Sequence, residues 1–171
     1  PSDAINYGTQ RIIPGIFDTH NHGTQGFDLM KPRDEEAYDR TVRGYLKGLA
    51  SQGTVNVFPT VMSPAGIAAV ARVAESDDVD GANIRGIHSE GPWLSRVGEK
   101  GIRTGWPEVS LNTAKAMVKA GGGMLRLVAL APEIPGIMEL VDYFLNEGIT
   151  VAAAHSDNKY AAAQAAYERG I

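Results

Sequence analysis

SQGTVNVFPTVMSP, residues 51–64, holds the end of one element, the whole of a second and the start of a third. Gly53 suits the stop of a helix, because a residue without a Cβ takes the left-handed conformation that closes one. TVNVFPTV, residues 54–61, is a β-branched and apolar run of strand length. Ser63 then offers an oxygen to the first free amides of another helix, and Pro64 fits its first turn.

The same unit recurs outward in both directions. Upstream, RIIPGIFDTH (11–20) reads as a strand and DEEAYDRTVRGYLKGLASQG (34–53) as a helix with an acidic start. Downstream, the helix opened by Ser63 runs to about Ser76 and IRGIHSEG (84–91) is a third strand. An irregular insertion, PWLSRVGEKGIRTGWPEV (92–109), precedes a helix from Ser110 to Ala120 that ends in Gly121, Gly122 and Gly123. LRLVALAPE (125–133) and IPGIMELVDYFLNEG (134–148) make the fourth pair, ITVAAAHSD (149–157) is strand five, and Lys159 to Arg169 forms the last helix before Gly170. Three helices thus end in glycine before a β-branched residue: SQG-TV, NEG-IT and ERG-I. Apolar strands alternating with helices demand parallel pairing through helical crossovers, either in a (β/α) barrel or in an open doubly wound sheet. The pattern alone does not separate the two. A closed eight-unit barrel needs ~250 residues, and this chain reaches the threshold of unit six at Ile171. The expected fold is therefore α/β, a partial (β/α)8 TIM-type barrel of about five units, with 1–171 as one domain.

Composition narrows the partners. A chain of 171 residues, 43% hydrophobic and 21% charged, can bury one sizeable core. Its formal net charge of -4 and pI near 5.5 argue against nucleic acid and anionic membrane as partners. Without cysteine there is no thiolate site, so any metal falls to histidine and carboxylate. The longest apolar stretches, such as LRLVALAP, fall far short of the ~20 residues that cross a bilayer, and PSDAINYG lacks a signal-peptide pattern. A cytoplasmic location is expected.

Chemistry gathers at three strand ends. His20 and His22, one residue apart in FDTHNHG, project to the same side at the carboxyl end of strand one. Taken alone, the pair reads first as two hydrogen-bonded loop histidines, because so short a pattern recurs by accident. His88 and Glu90 share a face at the end of strand three, where Glu90 could instead cap the next segment or pair with Arg85 or Arg96. His155 closes strand five and could be an ordinary first-turn residue. All three motifs occupy the same place in strands one, three and five, and parallel topology brings those ends to one face. Imidazoles with a carboxylate suit zinc or ferrous iron, and an open position leaves room for an activated water. Metal-assisted hydrolysis follows.

PGIFDTHNHG, the FPT of strand two, HSEGPW, LAPE and AAHSDNKY, in this order from about Arg11 to Ile171, resemble the N-acetylglucosamine-6-phosphate deacetylases of the amidohydrolase superfamily. That resemblance implies a (β/α)8 barrel with a small β-sandwich built from both chain ends, with 1–13, chiefly Tyr7 to Ile13, as its exit strand, and usually a homodimer. It implies removal of acetate from an N-acetyl amino sugar phosphate with one or two divalent ions, zinc or iron. By position, His20 and His22 belong to the first metal site, Glu90 is the central ligand and His155 a ligand of the principal site. His88 backs these ligands or is a buried hydrogen-bonded histidine. The family's strand-six histidine and its proton-shuttling aspartate on strand eight have no counterpart here, so no catalytic acid/base is expected within this chain and no appreciable turnover by it alone. Where the family reads KGAH, this chain has KGIR, placing Ile102 and Arg103 at the substrate-contacting position. Trp93 and Trp106 could stack on a sugar or pack the insertion; Asn56 and Thr60 are expected to satisfy backbone groups. Two other readings stay open: a different deacetylase or cyclic amidase selected by Arg103, and a binding or folding module without turnover.

Overall fold

Three helices begin where their polar caps require. Asp34, Ser63 and Ser110 each stand in extended conformation and accept an amide three residues on, from Ala37 at 2.8 Å, Gly66 at 3.1 Å and Thr113 at 3.3 Å. The computed structural model describes residues 5–32, 34–96 and 108–171. Along these the elements are β1 (Ile16–Asn21), β2 (Gly23–Thr24), β3 (Phe27–Asp28), α1 (Glu35–Ser51), β4 (Thr54–Val61), α2 (Pro64–Ala74), β5 (Asn83–Ile84), β6 (Ile87–Glu90), α3 (Leu111–Ala120), β7 (Leu125–Leu130), α4 (Ile137–Asn146), β8 (Thr150–Ala153) and α5 (Tyr160–Arg169).

Strand order settles what the sequence pattern left open. The main sheet runs β1-β4-β6-β7-β8, parallel throughout, with the short β5 also beside β4. A doubly wound sheet reverses its order at a switch point, which sends helices to both faces. Here each strand neighbours the next in the chain, and α1 to α4 pack on one another in the same sequence. The result is a curled half-barrel with its helices outside.

Gly53 and Gly148, which close α1 and α4, have φ of 89° and 71°, a conformation that costs a residue with a Cβ ~1–2 kcal/mol. Each lets the chain turn straight into the next strand. The core lies between the convex sheet face and the helices, where Val57, Val61, Ile87 and Val151 meet Leu46, Ile67, Met117 and Phe144. Each such side chain contributes ~1.5–3 kcal/mol by leaving water. The concave face is partly open: Phe17, 51% exposed, meets Phe58 edge-on at 5.3 Å between ring centres.

The structure departs from the sequence reading in three places. IRGIHSEG is not one strand but two, β5 and β6, separated at Arg85 and Gly86; a Cβ on Gly86 would lie 2.5 Å from Arg126 Cγ, so neighbouring side chains crowd the backbone there. Tyr7 to Ile13 forms no strand, only a turn closed by Gln10 N to Tyr7 O at 3.0 Å. A strand exists by pairing, and no partner for this stretch occurs among the described residues. The small β2-β3 hairpin is an addition to the strands read from the sequence, and GTQG, with Gln25 and Gly26 both at positive φ, is its turn signal. No helix among the described residues is long and apolar enough to cross a membrane.

Candidate metal centre

The end of β1 is shaped by its own side chains. Asp18 accepts the His20 amide at 3.0 Å and the Asn21 side-chain amide at 3.1 Å, and Asn21 in turn accepts the Gly23 amide at 2.9 Å. The register against β4 shifts between Asp18 and Asn21. From β4, Thr60 completes the framework: its hydroxyl accepts the Asn21 amide at 3.0 Å and its carbonyl lies 3.1 Å from His22 Nδ1. With Nδ1 donating to that carbonyl, Nε2 of His22 points into the site. Thr60 thus serves a backbone group, as expected, and also fixes a histidine; Asn56 instead accepts from the Arg85 side chain at 2.8 Å.

Glu90, 6% exposed at the end of β6, is the hub. His22 Nε2 lies 2.7 Å from its Oε2, His155 Nε2 lies 2.9 Å from its Oε1, and His20 Nε2 is 3.5 Å from the same Oε1. His20 and His22 approach each other at 3.2 Å through their Nε2 atoms. The donors of His20, His22 and Glu90 all fall within 4.8 Å of one another, and His155, outside that trio, reaches Oε1 of Glu90, the oxygen that His20 also approaches. A zinc ion bound tetrahedrally at ~2.0–2.1 Å needs donors roughly 3.3 Å apart, and the spacing of His20, His22 and Glu90 is compatible with one. Neither arginine competes: Arg85 bonds Asn56, and Arg96 pairs with Asp157 at 3.0 Å.

Electrostatics agree with the geometry. The hydrogen bond from His22 outweighs burial and holds the Glu90 carboxyl down at about 2. The same bond raises His22 above its ordinary value, against burial. His88 behaves oppositely: burial, then the neighbouring His20, lowers it to about 4. It is 3% exposed, its Nδ1 lies 3.1 Å from Thr19 O and 3.3 Å from the Thr60 hydroxyl, and its ring meets the His20 ring edge-on at 4.8 Å. A neutral imidazole that ties β1, β4 and β6 together fits there.

The structure thus brings His20, His22, Glu90 and His155 together, with His88 directly behind them. Ile102, Arg103 and Trp106 lie outside the described residues. Trp93 is interior, 1% exposed and tilted against Phe144 at 6.4 Å, so it packs the core rather than meeting a sugar. Beside His22 opens a pocket of about 530 Å³ whose walls include Thr24, Gln25, Phe27, Lys31 and Met62. The unforeseen hairpin builds most of it. Also unforeseen is Glu133, the last residue of LAPE, which binds the loop after His155.

No family model matches the chain. It is 34% identical to N-acetylglucosamine-6-phosphate deacetylase of Vibrio furnissii over 99% of its own length and 43% of that relative. It is 26% identical to N-acetylgalactosamine-6-phosphate deacetylase of Escherichia coli O157:H7, over 99% of this chain and 45% of the relative. Among solved structures, N-acetyl-D-glucosamine-6-phosphate deacetylase from Mycobacterium smegmatis superposes with a TM-score of 0.71 at 26% identity, covering 92% of this chain and 44% of that one. The chain spans less than half the length of the curated relatives it matches. The resemblance legible in the motifs therefore extends along nearly the whole chain and into the fold.

Proposed function

We propose that this chain is the metal-binding part of a hydrolase that removes acetate from N-acetylglucosamine 6-phosphate. One observation carries the reading: imidazoles from just past the ends of β1 and β8 converge on the two oxygens of Glu90. The similarity to deacetylases of N-acetyl amino sugar phosphates supports the substrate class.

His20, His22, Glu90 and His155 would hold one or two divalent ions, zinc or iron, which supply an acidified water and polarise the amide carbonyl. The protein's own groups prepare that site. Thr60 O turns Nε2 of His22 toward the site, and Glu90, ionised far below neutral pH, offers its two oxygens in different directions. His88 stays neutral behind His20, adding no repelling charge. Ile102 and Arg103 are assigned to substrate contact by their position in KGIR. No residue here occupies the place of the proton-shuttling aspartate, so turnover is assigned to the polypeptide extended to the length of the relatives, as a cytoplasmic homodimer.

The test is acetate release by that extended polypeptide from N-acetylglucosamine 6-phosphate, N-acetylgalactosamine 6-phosphate, the unphosphorylated sugars and cyclic amides, with metal content measured in parallel. Glu90→Gln should abolish both bound metal and hydrolysis of the sugar phosphates. Full metal occupancy with unchanged hydrolysis in that variant would end the proposal.

A further inference from the structure

His155 holds its backbone at φ 46°, in the left-handed region. Outside glycine such a conformation costs on the order of 1 kcal/mol and persists only when surrounding groups enforce it. The enforcing groups come from two other strand ends. Just after β6, the amides of Ser95 and Arg96 both donate to the His155 carbonyl, at 3.0 and 2.8 Å. Just after β7, Glu133 accepts the Asp157 amide through Oε1 at 2.6 Å and the Ser156 hydroxyl through Oε2 at 2.8 Å. Arg96 also pairs with Asp157 at 3.0 Å.

From this we infer that Glu133 is a positioning residue for His155: it holds the 156–157 turn so that the imidazole stays on Glu90. The inference rests on the reading of His155 as a metal ligand. β7 delivers no ligand of its own to the centre, yet its carboxyl end carries a carboxylate with both oxygens engaged. A solvated loop acid would leave them to water. Here they tie together the segments that follow β6 and β8, closing a frame around a ligand that no strand pairing fixes. His20 lies within β1 and Glu90 within β6, and His22, one residue past β1, has its ring held by Thr60 O, whereas His155 lies two residues beyond the end of β8. A loop ligand needs such support, because loss of a supporting hydrogen bond typically weakens metal affinity ~10–100-fold.

Glu133→Ala and Glu133→Gln in this chain test the role. The readouts are amide hydrogen exchange, the imidazole NMR signals of His155 and His22, and titration with zinc. In Glu133→Ala the Asp157 amide should exchange at least ~10-fold faster, the His155 signals should shift and broaden, and zinc affinity should fall ~10–100-fold, with His22 and the β6 amides unmoved. Glu133→Gln keeps one of the two acceptors and should show a smaller change in the same direction; if the alanine variant does not fold, a glutamine variant equal to the parent in Asp157 exchange and His155 signals overturns the inference. Unchanged Asp157 exchange and His155 signals would overturn the inference, as would an equal loss of protection throughout the sheet. Should the parent chain take up no zinc while Asp157 and His155 respond as stated, the positioning role stands and the metal reading falls.

Discussion

The Nε2 atom of His22 stands 2.7 Å from Oε2 of Glu90, although His22 follows β1 and Glu90 ends β6, with β2, β3, α1, β4, α2 and β5 between them in the chain. That contact makes the carboxylate common to both histidine groups, and its removal should be felt first in metal binding. Glu90→Gln keeps the shape and loses the charge, so zinc affinity should drop by more than the ~100-fold at the top of the range for a mere supporting bond. Isothermal titration, with circular dichroism as the control on folding, measures it; an affinity within a few-fold of the parent would refute the placement of Glu90.

Stability of the metal-free chain should peak near pH 6.5. His88 is lowered from 6.5 to about 4, so its contribution is complete above 6.5 and fades as pH falls toward 4. Glu90 is lowered from 4.5 to about 2, so its contribution is complete above 4.5 and fades toward 2. His22 is raised above 6.5, so its contribution is complete below 6.5 and is lost as pH climbs through its folded value. Denaturant melts in chelator should show both flanks, with His88→Asn flattening the upper acid limb and Glu90→Gln the lower. A profile untouched by either variant would contradict this.

Thr60→Val removes the hydroxyl that accepts the Asn21 amide and leaves the carbonyl that orients His22. A part-buried amide without a partner should cost ~1–3 kcal/mol. The shift in denaturant midpoint at constant slope reads this out, and a midpoint equal to the parent's would show that water replaces the hydroxyl fully.

Gly53→Ala meets no atom within 4 Å, so any cost comes from the backbone at φ 89°. A loss of ~1–2 kcal/mol is expected. If the variant is as stable as the parent, the left-handed closure of α1 does not matter to folding.

The open concave face should make this chain associate. Phe17, 51% exposed beside Phe58, leaves an apolar surface that further barrel strands would cover. Sedimentation should show concentration-dependent self-association that Phe17→Ser reduces. A monomer at all concentrations would favour an autonomous module.

Much of the fold was legible because its signals are local. Ser63 and Pro64 start α2, Ser110 starts α3, and Gly53 and Gly148 end their helices, each through contacts within a few residues. The (β/α) alternation follows from those stops. The split of β5 from β6 and the irregular course of Tyr7 to Ile13 were not legible. They depend on what lies alongside: the Arg126 and Phe58 side chains in one case, the want of a pairing strand in the other.

The sequence by itself determined which residues could bind a cation, because alternation along a strand puts His20 and His22 on one side and the repeated unit puts Glu90 and His155 at equivalent ends. Only the tertiary structure decided that these ends meet. Sheet order and the left-handed turn at His155 are set by packing and hydrogen bonds between segments far apart in the chain, Thr60 to His22 and Glu133 to Asp157 among them. Residue spacing encodes faces along one element; distances between elements arise only when the helices close over the sheet and bury the core.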